Sequence, residues 1–200
     1  MVRTINQALN ERRRQQILKA ATRCFVRNGF HQSTVQQICQ EAGMSAGGLY
    51  RYYRAKDEIV VAIAEQERLE NEVLIETLLN ASDPIAAIRK ITGWILEAFE
   101  DPDYGRLGVE ALSEASRNPR VAEALKTNED ELRDALRRAL ERGQRSGLVS
   151  EAFAPAELAE MVMSVFDGFA ARGILNSDFQ PKRYHDMLST MFERLLSPTQ

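Results

Sequence analysis

A chain of 200 residues with 44% apolar and 28% charged side chains can bury one or two cores, and its composition is that of a soluble globular protein. No apolar run approaches the roughly 18 residues that span a bilayer, and the opening MVRTINQALNERRRQQ has no apolar segment behind its charges, so neither a membrane span nor a secretory signal is expected. The net charge of −3 conceals a split: residues 1–56 hold ten Lys and Arg against Glu11 and Glu41, giving +8 and leaving −11 for the rest, a basic head that suits contact with a polyanion.

Helical periodicity dominates, and no stretch alternates as a strand would. The first helix is expected from about Asn10 to Asn28, with Ile17, Leu18, Ala21, Cys24 and Phe25 on one face and Gly29 as the residue that ends it. Ser33 or Thr34 caps the next helix, with Gln36 or Gln37 as the reciprocal partner, and Val35, Ile38, Cys39 and Ala42 form its apolar side. Gly43 breaks that helix. Ser45 caps a further short one, which turns Leu49 and Tyr53 inward and leaves Tyr50 and Tyr52 outward. A longer helix runs from Lys56 to about Asn80. Asp83-Pro84 opens the next, which ends near Glu100, and another spans about Tyr104 to Ser116. Asn118-Pro119 starts a helix ending near the Gly143–Gly147 turn, and Pro155 and Pro181 precede the last two, over roughly 156–175 and 182–196. The fold expected is all-α with about nine helices: an N-terminal three-helix helix-turn-helix domain over 1–55, and a helical effector-binding and dimerisation domain over 56–200.

The helix-turn-helix carries the chemistry. An α-helix fits the major groove, so the second short helix can present side chains to base edges while its neighbours hold the phosphates. Thr34 and Ser45 place hydroxyls at helix starts, Tyr50 and Tyr52 add phenols, and Lys56 adds a cation, all suited to phosphate oxygens.

This segment resembles the N-terminal DNA-binding domain of the tetracycline-repressor-like (TetR) family of bacterial regulators. The match rests on Gly29-Phe30, Ser33-Thr34-Val35, Ile38, Ala42-Gly43-Met44-Ser45, Gly48-Leu49-Tyr50, Tyr52-Tyr53 and Lys56 to Ile59, and is close over about residues 12–60. The resemblance implies phosphate contacts from Thr34, Ser45, Tyr50, Tyr52 and Lys56, and base reading at Ala46, Gly47, Gly48 and Tyr50. Family members often carry longer polar side chains where this chain has Ala-Gly-Gly. Base discrimination is therefore expected to lean on Gln36, Gln37, Tyr50, Arg51 and operator shape. The stretch Tyr104–Leu125 is similar to the branch of the family that includes the choline-responsive repressor of betaine synthesis.

The last two helices share a pattern. Leu158, Met161, Val162, Val165, Phe166 and Phe169 have the same spacing as Tyr184, Met187, Leu188, Met191, Phe192 and Leu195. Stripes this broad on terminal helices suit a two-fold four-helix interface. The expected dimer face is Leu158, Val162, Val165, Phe169, Met187, Leu188, Met191, Phe192 and Leu195. A palindromic operator then follows from the symmetry of the homodimer. An effector pocket is expected from Trp94, Phe99, Tyr104, Glu110, Met161, Phe166 and Asp167, an apolar and aromatic set with few polar groups. Its small-molecule ligand, which the resemblance implies, is not specified by these residues. The two histidines, His31 and His185, stand in no metal-like or triad-like spacing, and no phosphate loop or nucleophile elbow occurs. No enzyme, cofactor or metal is expected. Glu110 and Glu114 stand four apart, as an exposed helix face explains. Cys24 and Cys39 are too few for a disulfide framework and fit a reducing cytoplasm.

Overall fold

The computed structural model describes residues 2–198, and among these the secondary structure is helical throughout. The helices are α1 (Val2–Asn28), α2 (Val35–Glu41), α3 (Ala46–Tyr50), α4 (Lys56–Asn80), α5 (Pro84–Ala98), α6 (Pro102–Ala115), α7 (Pro119–Arg145), α8 (Pro155–Leu175) and α9 (His185–Leu196). A short 3-10 turn, Pro181–Tyr184, leads into α9 where the sequence pattern suggested one continuous helix. Proline opens four of the nine, where its fixed φ suits the first turn and its missing N–H costs nothing. The first helix starts at Val2 rather than near Asn10, because no glycine or proline interrupts residues 2–28. Its early part has no apolar stripe to signal it, and Leu9 is 53% exposed.

The chain divides into two compact units. One comprises the residues up to Glu67 together with Arg106–Lys126, and the other comprises Arg68–Gly105 with the residues from Thr127 onward.

The first unit is built on the stripe expected for α1. Ile17, Leu18, Ala21, Cys24 and Phe25 are all buried, together with Ile38, Cys39 and Ala42, with Leu49 and Tyr53, and with Ile59 of α4. Val121 of α7 is fully buried in the same core, and Leu107, Ala115 and Leu125 pack on it. A stretch more than forty residues further along the chain thus completes the head.

In the second unit, Leu78, Ile88, Ile91, Leu96, Leu136, Leu140, Leu158, Val162, Phe166, Leu188, Phe192 and Leu196 form one core. Close packing at one point requires glycine: a Cβ on Gly143 would collide with Val149 Cγ2 and lie 2.9 Å from Pro84 Cγ. Arg142 donates to Leu78 O at 2.7 Å, and Gln144 donates to Ser150 O at 2.8 Å and Phe153 O at 2.9 Å, fixing the turn after α7.

Candidate nucleic-acid interface

Local chemistry sets the α2–α3 geometry. Gly29 ends α1 at φ 78°, and its N–H bonds back to Phe25 O at 2.8 Å. Thr34 caps α2 as expected: Gln37 N donates to Thr34 Oγ1 at 3.2 Å, while Thr34 N donates to Gln37 Oε1 at 2.8 Å. This reciprocal pair satisfies two backbone donors. Gly43, at φ 62°, turns the chain, and Met44 N bonds to Cys39 O at 3.0 Å. Ser45 then caps α3, its Oγ accepting from Gly48 N at 3.2 Å.

Leu49 and Tyr53 are buried, so α3 is anchored by its inner side, and Tyr50 is 50% exposed on the other. Gln36, Gln37, Ser45, Ala46, Gly47 and Arg51 are exposed as well, and Gly48 is half-buried. Gln37 is tied to its own helix through the cap, so its free amide group is the part left for an outside partner. Tyr52 is half-buried, and its hydroxyl donates to Asn10 Oδ1 at 3.4 Å.

Lys56, expected as a phosphate ligand, has its ammonium engaged within the chain. Its ammonium donates to Phe30 O, to Ser33 O at 2.9 Å and to His31 O at 3.3 Å, and it lies 4.2 Å from the centroid of the Phe30 ring. Lysine has three donors, and all are taken by the α1–α2 turn. Burial pushes its pKa down from the ordinary lysine value, and the Glu114 charge opposes that shift. Arg23 and Arg27 are likewise engaged, at 2.7 Å and 3.0 Å from the Glu41 carboxylate, which they hold below its ordinary pKa.

The residues expected to hold an effector separate. Trp94 and Phe99 are half-buried against the second core, and Phe166 is part of it. Tyr104 is 40% exposed, with its ring 5.9 Å from Phe99. The cation over Trp94 is this chain's own Lys90, at 4.7 Å, one turn away on α5. Met161 is 55% exposed and points out of α8. Asp167 is also on the outer side, although protein packed about its carboxyl, with the Glu160 charge, raises its pKa. Glu110 is in the first unit instead, accepting from Phe30 N at 2.8 Å. Nothing in the spacing signalled that contact, because its partner is 80 residues away.

The expected dimer stripe divides too. Leu158, Val162, Leu188 and Phe192 are at most 3% exposed, inside the chain's own core, and so are not surface residues. The helical period places them inward, one step from Met187 and Met191, which are 57% and 39% exposed. Val165, Phe169 and Leu195 are half-buried, and Phe169 already packs on Tyr184 and Phe179, with ring centroids at 5.4 Å and 5.5 Å. Cys24 and Cys39 are free and buried, and burial raises both thiol pKa values. No helix among the described residues is long and apolar enough to cross a membrane.

Comparisons with known proteins agree with the all-helical fold. Residues 17–63 match the family described as bacterial regulatory proteins, tetR family, and residues 84–197 match the C-terminal family of BetI-type transcriptional repressors. The HTH-type transcriptional regulator UidR of Escherichia coli K12 is 26% identical over 163 residues, spanning 79% of this chain and 80% of that protein. Among solved structures, Salmonella enterica GusR superposes with a TM-score of 0.76 at 25% identity, covering 92% of this chain and 95% of that one. The regulator FadR of Bacillus subtilis, in complex with stearoyl-CoA, has the same fold with a TM-score of 0.79 at 17% identity, over 90% of this chain and 98% of that one.

Proposed function

Since this chain belongs to the TetR family of bacterial transcriptional regulators, we propose that it is a homodimeric repressor that binds a palindromic operator through α2 and α3 and releases it when a small molecule binds. The observation that carries this reading is the capped α2–turn–α3 unit, held from inside by Leu49 and Tyr53 and exposing Tyr50. Thr34, Ser45, Tyr50 and Tyr52 serve phosphate oxygens. Gln36, Gln37, Tyr50 and Arg51 face base edges, and Ala46, Gly47 and Gly48 give the backbone close approach. Lys56 serves the interface indirectly, by fixing the turn that precedes Thr34.

The effector region draws on Trp94, Phe99, Tyr104 and Phe166. An aromatic lining suits an apolar or amphipathic molecule, in keeping with the stearoyl-CoA of the FadR neighbour. Release follows if that molecule binds more tightly to dimers whose recognition helices no longer match successive major grooves; equal affinity for both forms would shift nothing. The protein acts in the cytoplasm, where the operator lies.

Selection of bound duplexes from a random pool tests this directly. A two-fold symmetric consensus is expected, with half-sites about one helical turn apart or a multiple of it. Failure to enrich any sequence would sink the reading.

A further inference from the structure

We propose that Glu110 and Glu114 of α6 are positioning residues for DNA binding: with Lys56 they clasp the α1–α2 turn and so set the pose in which α2 presents Thr34. The inference rests on the assignment of α2 and α3 to the duplex-facing surface.

The turn from Gly29 to Ser33 has no regular structure to satisfy its backbone. Gly29 N–H still reaches Phe25 O, but Phe30 N–H is the first donor beyond the helix. Glu110 Oε2 accepts it at 2.8 Å, a charge-assisted bond stronger than one between neutral groups. The fit is close on both sides, since a Cβ on Gly29 would lie 3.4 Å and 3.5 Å from the two Glu110 oxygens. One helical turn along α6, Glu114 is 6% exposed, and its Oε2 has no hydrogen-bond donor but lies 3.4 Å from His31 Nε2. A carboxylate this dry is costly unless partners face it: Asn118 Nδ2 donates to its Oε1 at 3.3 Å, and Lys56 is the cation coupled to its charge.

The carbonyl side of the same turn belongs to Lys56, whose three donors go to Phe30 O, His31 O and Ser33 O. Ser33 itself is buried, with its hydroxyl donating toward Cys24 O at 3.0 Å and Gly29 O at 2.8 Å. The turn is thus held from α6 through the Phe30 amide, with the Glu114 carboxylate set beside the His31 ring, and from α4 through three carbonyls. The next residue is Thr34, the cap of α2. A clasp that ends one residue before a phosphate anchor fixes where that anchor stands, and positional errors of about an ångström are enough to weaken oriented contacts.

The test uses the full-length protein and a duplex obtained by selection, with affinity measured over a range of salt concentrations. Glu110→Ala is expected to weaken binding about tenfold with the salt slope unchanged, because no phosphate contact is removed. Glu110→Gln, which keeps an acceptor for Phe30 N–H, is expected to recover most of that loss. Hydrogen exchange at the Phe30 amide should accelerate in the alanine variant and much less in the glutamine one. Thr34→Ala is the reference for a direct contact and should weaken binding without accelerating exchange at the Phe30 amide; its hydroxyl is neutral, so the salt slope should stay unchanged. If Glu110→Ala binds like the parent while Thr34→Ala does not, the clasp is refuted and the interface stands. If Thr34→Ala and Tyr50→Ala also bind like the parent, the assignment of the interface itself fails. Should Glu110→Ala not fold, Glu114→Gln decides: about threefold weaker binding at unchanged slope supports the clasp, and parental affinity overturns it.

Discussion

Two glycines in α3 have no reason inside the chain. Gly47 and Gly48 lie in α3 with no positive φ, so the backbone does not require them. A Cβ on Gly47 would meet nothing within 4 Å, and one on Gly48 would find only Ser45 Oγ at 3.4 Å and Met44 Cβ at 4.0 Å. Each glycine costs a helix roughly 1 kcal/mol relative to alanine. Nothing inside the chain excludes a side chain there, and the duplex is the partner proposed for that face. Gly47→Ala is therefore expected to raise the unfolding free energy by up to about 1 kcal/mol while lowering operator affinity. Denaturant titration and DNA titration of the same preparation read the two effects, and full affinity would show that the duplex does not approach this backbone. Gly143→Ala should behave oppositely. Its Cβ would overlap Val149, so stability should fall by about 1–3 kcal/mol. Cys24 and Cys39 need no outside partner: burial raises both thiols, so they remain protonated and pack as small apolar groups.

At the level of helices, what depends on near neighbours was legible from the sequence. The Thr34–Gln37 box, the Ser45 cap and the Asp83-Pro84 start each depend on residues within one turn, and all three occur. Asp83 Oδ1 accepts from Ile85 N at 2.9 Å and from Ala86 N at 3.1 Å. Asp83→Ala should cost about 1 kcal/mol, seen as a lower urea midpoint, and leave the operator affinity of the folded protein unaltered. An unchanged midpoint would mean that Pro84 alone defines the start of α5. Long-range features were not legible. The i, i+4 spacing of Glu110 and Glu114 is what an exposed helix shows, and only the tertiary fold brings them to Phe30 and His31. Lys56 has the same ambiguity: the family motif marks the residue, but not that its donors turn toward carbonyls of its own chain. Along α1, the absence of an apolar stripe before Ile17 hid eight or more residues of regular helix, because periodicity reports burial and not backbone conformation.

For the whole molecule, the decisive distinction is between residues that hold the chain together and residues left for a second copy. On α9, Leu188 and Phe192 are 2% and 1% exposed, whereas Met187 and Met191 are 57% and 39% exposed. The two methionines line a surface depression of about 530 Å³ with Asp186, Thr190 and Arg194. Met161 of α8 is 55% exposed as well, and methionine suits an adaptable apolar contact. If this face joins two copies, charge placed on it should separate them without unfolding either. Met187→Glu with Met191→Glu is expected to sediment as a monomer with nearly the parental unfolding midpoint. Its operator affinity should drop on the order of a hundredfold, because two half-sites no longer bind as one unit. Phe192→Ala should act through folding instead, losing about 3–5 kcal/mol from the core. A double glutamate variant that stays dimeric with full affinity would place the interface elsewhere. A monomer that still binds as tightly as the parent would break the link between dimerisation and the palindromic operator.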